Sequence, residues 1–185
     1  MTKKHVLVIG GTGMLAGVST WLVHEGYHVS IIGRCPIKHQ HVKEKVSDPE
    51  SITSIAVDYT NLSELKLQVE KTLKDNGPIS TLISWSHSLD SLQTIVGILS
   101  NQQKPLELLH VKASRKYFQD DVLDIPANCQ SKSVYLGFVL EGDHSRWLNH
   151  SEICNGIIES LQKQTHSSII GVVKPYSRRP SSFTT

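Results

Sequence analysis

Residues 10–17 read Gly-Gly-Thr-Gly-Met-Leu-Ala-Gly, and they carry the strongest chemical signal in the chain. Gly11, Gly13 and Ala16 fit the spacing G-x-G-x-x-G/A. An apolar run, His5–Ile9, precedes them, and a segment of helical periodicity follows. In that setting each small residue has a task. Gly11 is expected to permit the tight turn, and Gly13 to let backbone approach a pyrophosphate. Ala16 is expected to let helix and strand pack closely. The helix start adds free N–H groups and the positive end of a dipole. Gly10, Gly11, Thr12, Gly13, Met14 and Leu15 are therefore read as a dinucleotide-binding turn. The competing reading is a glycine turn that serves strand–helix geometry alone.

The end of the second apolar run decides which dinucleotide. A site selecting NAD would place Asp or Glu there for the ribose 2′-hydroxyl. Gly33-Arg34 stands there instead, with Lys38 and His39 shortly after. A guanidinium suits a 2′-phosphate, so NADP is the expected cofactor and NAD the lesser one.

The polar residues beyond the fourth and fifth strands are the next candidates. Ligands of open α/β sheets bind past the carboxyl ends of the strands, near the point where strand order reverses. Ser84, Ser86, His87, Lys112 and Ser114 fall at such ends. Ser84 is expected against the cofactor. His87 and Ser114 are expected to be catalytic, with His87 as proton donor because imidazole titrates near neutrality. Arg146 is a candidate anion holder and Trp147 a candidate pocket wall. The ten histidines show no metal-ligand spacing, so no metal site is expected. Cys154, inside a helical pattern, reads as a small core residue.

The elements that must position these residues alternate in type. Short β-branched runs at His5–Ile9, Tyr27–Ile32, Ile52–Val57, Ile79–Ser84, Leu106–Val111, Ser133–Leu140 and Ile169–Val173 read as strands. Helical periodicity covers Met14–Glu25, Leu62–Asp75, Ser91–Ser100 and Ser151–Gln164. Asn61 reads as an N-cap with Glu64 as its capping-box partner. The stretches 33–51 and 112–132 show no clear period, apart from a short helix expected after Pro49 and another around Tyr117. The pattern specifies an α/β, doubly wound Rossmann fold with a mainly parallel sheet of about seven strands. Residues 1–173 form one domain, and 174–185 are expected to be a mobile tail.

The turn Gly10–Ala16 resembles the nucleotide-binding turn of the short-chain dehydrogenase/reductase superfamily. Val57-Asp58 is similar to that family's acidic residue near the adenine, which adds Asp58 to the cofactor-binding set. Ser84-Trp85-Ser86-His87 departs from the family's Asn-Asn-Ala-Gly stretch. The family's Tyr-x-x-x-Lys pair has no counterpart: Asp121 follows Tyr117 at that spacing, and Val139 follows Tyr135. The resemblance is to an atypical, truncated member. It implies an NADP-dependent oxidoreductase lacking the Tyr–Lys pair, or else a non-catalytic NADP-binding redox sensor or regulatory protein.

Composition narrows the remaining classes. The chain has 185 residues, a formal net charge of +2 and 38% hydrophobic residues. That charge is too small to argue for nucleic acid. The run Val6–Ile9 is too short for a signal peptide or membrane span, and three unpaired cysteines suit a reducing compartment. The expected setting is the cytoplasm, with a small-molecule substrate, no nucleic-acid or membrane partner, and a homo-oligomer allowed.

Overall fold

The first strand, β1 (His5–Ile9), is buried along its whole length. Val6 and Val8 point to one face of the sheet and Leu7 and Ile9 to the other, and each face carries its own apolar cluster. A strand without a polar face must sit centrally between two layers. A computed structural model, describing residues 3–163 and 165–181, shows that arrangement. The remaining strands are β2 (His28–Gly33), β3 (Ile52–Ala56), β4 (Ile79–Ser84), β5 (Leu106–Ala113), β6 (Cys129–Leu136), β7 (Phe138–Glu141), β8 (His144–Trp147) and β9 (Ser167–Ile170). Seven of the nine form one parallel sheet in the order β3-β2-β1-β4-β5-β6-β9. Strand order reverses between β1 and β4. The doubly wound Rossmann fold is thus present.

The helices are α1 (Ala16–His24), α2 (Pro36–Lys43), α3 (Leu62–Asn76), α4 (Leu89–Ser100) and α5 (His150–Gln162). One layer presses Val18 and Leu22 of α1, Val42 of α2, and Ile153 and Ile157 of α5 against Val8, Ile31 and Val134. The other presses Leu65 and Val69 of α3 and Leu92, Ile95 and Leu99 of α4 against Leu7, Ile32 and Leu82. Asn149 and Glu152 close a full capping box at α5. At α3 only half of one forms. Asn61 accepts from the Glu64 N–H, but the Glu64 carboxylate accepts from Gln68 instead of reaching back.

Several boundaries differ from the sequence pattern for physical reasons. Residues 11–15 form successive turns, so α1 starts at Ala16 and not at Met14. α2 lies in the stretch left without a period, because only His39 and Val42 of its eight residues are buried. Ser133–Leu140 is not one strand. β6 starts earlier, at Cys129, and the chain leaves the sheet at Gly137. A Cβ on Gly137 would lie 2.2 Å from the Val172 carbonyl oxygen. That close crossing turns Phe138 out of the sheet into the β7–β8 hairpin. The last strand accordingly ends at Ile170, and Val172 pairs with Phe138. No long helix joins β5 to β6; a single 3-10 turn, Ser114–Tyr117, stands there.

The described part of the tail contains a 3-10 turn, Tyr176–Arg178. The Tyr176 ring packs 4.9 Å from that of Phe118, and Arg178 donates to the Gly142 carbonyl. Residues 182–185 lie outside the described residues. Among the described residues no helix is long and apolar enough to cross a membrane. No cluster of three His, Cys, Asp or Glu is placed for a metal ion among them either.

Candidate functional site

The site starts where β1 ends, at the reversal of strand order. Gly10 has φ +82°, a conformation favourable only to glycine. It is therefore Gly10, not Gly11, that permits the tight turn. A Cβ there would also lie 3.0 Å from the Trp85 carbonyl oxygen. Gly11 has a different role from the one its spacing suggests. A Cβ on it would meet Ser19 Oγ at 2.6 Å and Ile31 Cγ2 at 2.8 Å. It allows α1 to close onto β1 and β2, a task it shares with Ala16, which packs against the same core cluster.

Gly13 is constrained by neither requirement. A Cβ on it would come no closer than 3.9 Å to any atom, the Gly10 carbonyl oxygen. The residue is exposed and its φ is not positive. Around it, the Gly13 and Leu15 N–H groups turn back to the Gly10 carbonyl, and the Ala16 N–H to that of Gly13. Among the described residues, the N–H groups of Gly11, Thr12 and Met14 stay outside the turn's own hydrogen bonds. No side chain caps α1 and no acidic residue stands in its first turn. Such a helix start favours an anion.

To one side of the turn lie the ends of β2 and β3. Gly33 abuts Thr12, since a Cβ on Gly33 would lie 2.5 Å from Thr12 Oγ1. Arg34 follows, exposed and without an ion pair among the described residues. Its charge reaches Asp58, whose carboxyl lies below the usual range. The Thr60 backbone N–H contributes most to that shift, then the Thr60 hydroxyl, and Arg34 adds to it. Lys38 is exposed in the first turn of α2. His39 does not add to this positive edge: it is 2% exposed and its Nε2 donates to the Gly33 carbonyl at 2.9 Å. Arg34, Asp58 and Lys38 thus share the strand-end region next to Thr12.

To the other side lies a cavity of about 400 Å³. Met14, Trp85, Leu136 and Ile153 make its apolar wall, and His87 and Ser114 border it together. Trp147 on the hairpin and Tyr176 on the tail also line it. A smaller polar cavity of about 130 Å³ adjoins and shares Trp85, His87, Ala113 and Arg115 with it. His87 is exposed, and its ring meets Trp85 edge-on at 5.5 Å.

Other candidates fall elsewhere. Ser84 is fully buried and pairs in register with Ile9 and His110, so it faces the α3–α4 layer and lines neither cavity. Its Oγ has no hydrogen-bond partner. Lys112 lines only the smaller cavity and donates to Asp120 at 2.7 Å. Arg146 is held by Glu152 at 2.9 Å and Glu141 at 2.8 Å, away from the cavity. Cys154 is a core residue against Gly17, as its position in the sequence implies.

The tyrosines near β5 and β6 serve packing. Tyr135 donates to Asp120 at 2.7 Å. Burial, and then that bond, push its phenol upward, so it is a poor proton donor. Burial alone would raise the Asp120 carboxyl, but the bonds from Lys112 and Tyr135 outweigh it and hold the group low. Asp121 pairs with Lys116 and not with Tyr117. The Tyr117 ring stands edge-on to Tyr135 at 5.4 Å. The residues that sequence reasoning missed are Arg115, Tyr176 and Arg179 at the large cavity. The latter two lie in a polar stretch with two prolines, which carries no periodic signal.

No protein-family model and no curated relative matches the sequence. Solved structures match in fold. A short-chain dehydrogenase/reductase, glucose/ribitol dehydrogenase, from Brucella melitensis is similar at TM-score 0.70 and 12% identity, covering 90% of this chain and 93% of that one. A beta-ketoacyl-[ACP] reductase from Bacteroides thetaiotaomicron is similar at 0.68 and 12%, covering 95% and 99%. A variant of actinorhodin polyketide ketoreductase solved with NADPH is similar at 0.69 and 11%, covering 90% and 95%. The chain therefore has the fold of the short-chain dehydrogenases/reductases.

Proposed function

We propose that the chain binds NADP at the Gly10–Leu15 turn and is an oxidoreductase of short-chain dehydrogenase/reductase type working without a Tyr–Lys pair. The carrying observation is Gly13. The fold does not require a glycine there, since an added Cβ would meet nothing nearer than 3.9 Å, yet a glycine stands between Thr12 and Met14, whose N–H groups are uncommitted. A pyrophosphate is the group that such a cradle fits. The solved ketoreductase holds NADPH on the same fold. Residues 1–173 serve as one cofactor-binding domain, and the cytoplasm is the proposed setting.

Bound NADPH supplies a hydride, and this chain's residues do the rest. Thr12, Met14 and the α1 start hold the phosphates, with Arg34 and Lys38 at the 2′-phosphate and Asp58 near the adenine. Trp85 and Met14 exclude water from the cavity floor. His87 holds the proton for the substrate oxygen, and Ser114 orients that oxygen. His87→Ala is expected to lower turnover of any reduced carbonyl by ~100-fold, the scale of losing a general acid. Tyr117→Phe should leave turnover within about twofold, because Tyr117 does not line the cavity. Steady-state NADPH oxidation reads both, and a collapse on Tyr117→Phe would show the donor misassigned. One observation favours the alternative of a non-catalytic NADP sensor: Tyr135 is committed to Asp120. Tight NADPH binding with no turnover on any carbonyl would select it.

Cofactor choice rests on Arg34. A charge-assisted hydrogen bond contributes about 1.5–3 kcal/mol, so NADPH should bind at least ~10-fold more tightly than NADH. The gap should narrow as salt screens the exposed pair. Arg34→Asp should erase or invert it by calorimetry. Equal affinities in the wild type would make Arg34 and Lys38 merely solvated surface charges.

A further inference from the structure

We propose that the large cavity takes a 2-oxo acid with an aromatic or similarly bulky apolar side chain, a substrate class that rests on the oxidoreductase reading above. The walls supply the body's environment: Trp85, Leu136, Trp147, Leu148 and Ile153 are all apolar or aromatic. The charges supply the acid's environment. Arg115 and Arg179 both line the cavity, and among the described residues no Asp or Glu does. Arg115 has no ion-pair partner among the described residues. The Arg179 guanidinium carbon lies 4.4 Å over the Tyr176 ring, and Nη1 donates to the Tyr176 carbonyl at 3.1 Å. That leaves its remaining N–H groups for a ligand. Guanidinium matches carboxylate in a bidentate pair.

The lining suits a 2-oxo acid. Arg115 directly follows Ser114, the residue assigned to the reacting oxygen, and both border this cavity. A carboxylate partner thus stands on the same stretch of wall as the carbonyl partner, and the apolar wall that includes Trp147 takes the bulky group. In the reduction, the C–H bond of the dihydronicotinamide breaks and a C–H bond forms at the carbonyl carbon. The carbonyl π pair moves to oxygen, which takes the proton held at His87. NADPH is oxidised and the oxo acid becomes a 2-hydroxy acid.

The test uses benzoylformate and its methyl ester, titrated calorimetrically into the full chain with and without NADP⁺. The acid should bind at least ~10-fold more tightly than the ester, the scale of one charge-assisted bond. Arg115→Ala and Arg179→Ala, both at exposed positions, should each shrink that gap. Equal affinity of acid and ester overturns the proposal, and so does a gap that survives both variants. Phenyl phosphate binding more tightly than benzoylformate overturns the carboxylate assignment. NADPH titrated into the same preparations separates the two readings. If NADPH binds and the acid shows no preference, this inference alone fails. If the preference stands and NADPH does not bind, the cofactor reading and the reduction fail together.

Discussion

Gly13→Val is expected to weaken NADPH binding by at least ~100-fold and to leave the fold intact. The loss follows from displacing two or more N–H to phosphate bonds, each contributing about 1.5–3 kcal/mol. The intact fold follows from the empty surroundings: the added Cβ has no neighbour within contact distance but the Gly10 oxygen at 3.9 Å. Gly11→Val is the contrasting case. Its side chain would press on Ser19, Ile31 and Val8, and overpacking of that kind costs about 1–3 kcal/mol or more. Urea unfolding should therefore find Gly11→Val destabilised and Gly13→Val close to wild type. Calorimetry should find Gly13→Val without cofactor. Unchanged NADPH affinity in Gly13→Val would make the turn purely architectural.

The second large effect is acid sensitivity. His5 is 2% exposed, with Nδ1 on the Gly77 carbonyl at 3.0 Å and Nε2 on Ser30 Oγ at 2.7 Å. A carbonyl can only accept, so Nδ1 carries the proton and Nε2 accepts. Burial lowers this imidazole to about 4, and the nearby His28 adds to the shift. His110 is likewise buried and lowered to about 4, chiefly by burial and then by the Lys112 charge. Both are neutral in the fold, while the unfolded chain takes up protons near 6.5. Their contribution to stability is complete above pH 6.5 and is lost as pH falls through 4. At pH 5 the loss is about 2 kcal/mol per histidine, a large share of ordinary domain stability. Urea midpoints followed by circular dichroism from pH 7.5 to 4.5 should fall accordingly. A midpoint independent of pH over that range would mean the two rings are not held neutral.

The centre of the sheet was legible because its inner strands are largely apolar on both faces: β1 and β4 have the bounds their composition implies. The glycine turn was legible as a motif but not residue by residue. Spacing cannot show that Gly10 bears the positive φ, or that Gly11 meets opposing side chains as well as Ala16. α2 escaped notice because a helix burying only His39 and Val42 has little amphipathic signal. Gly137 interrupts an otherwise continuous apolar run, and only the crossing of Val172 explains why the chain leaves the sheet there. His87 and Ser114, picked by strand-end reasoning, were found at one cavity. Ser84 and Lys112 were not, because sequence does not tell which sheet face a strand-end residue takes when both faces are buried. Arg179 and Tyr176 come to the cavity through the tail, whose docking depends on contacts such as Tyr176 with Phe118 that span distant parts of the chain.

The most direct test of NADP binding at the glycine turn is a crystal structure of the complex with NADPH. The prediction is a pyrophosphate on the N–H groups of Gly11, Thr12 and Met14, the 2′-phosphate at Arg34, and the nicotinamide C4 facing the cavity bordered by Trp85, His87 and Ser114. Phosphates bound away from the turn, or crystals that stay free of NADPH at saturating concentration, would contradict it.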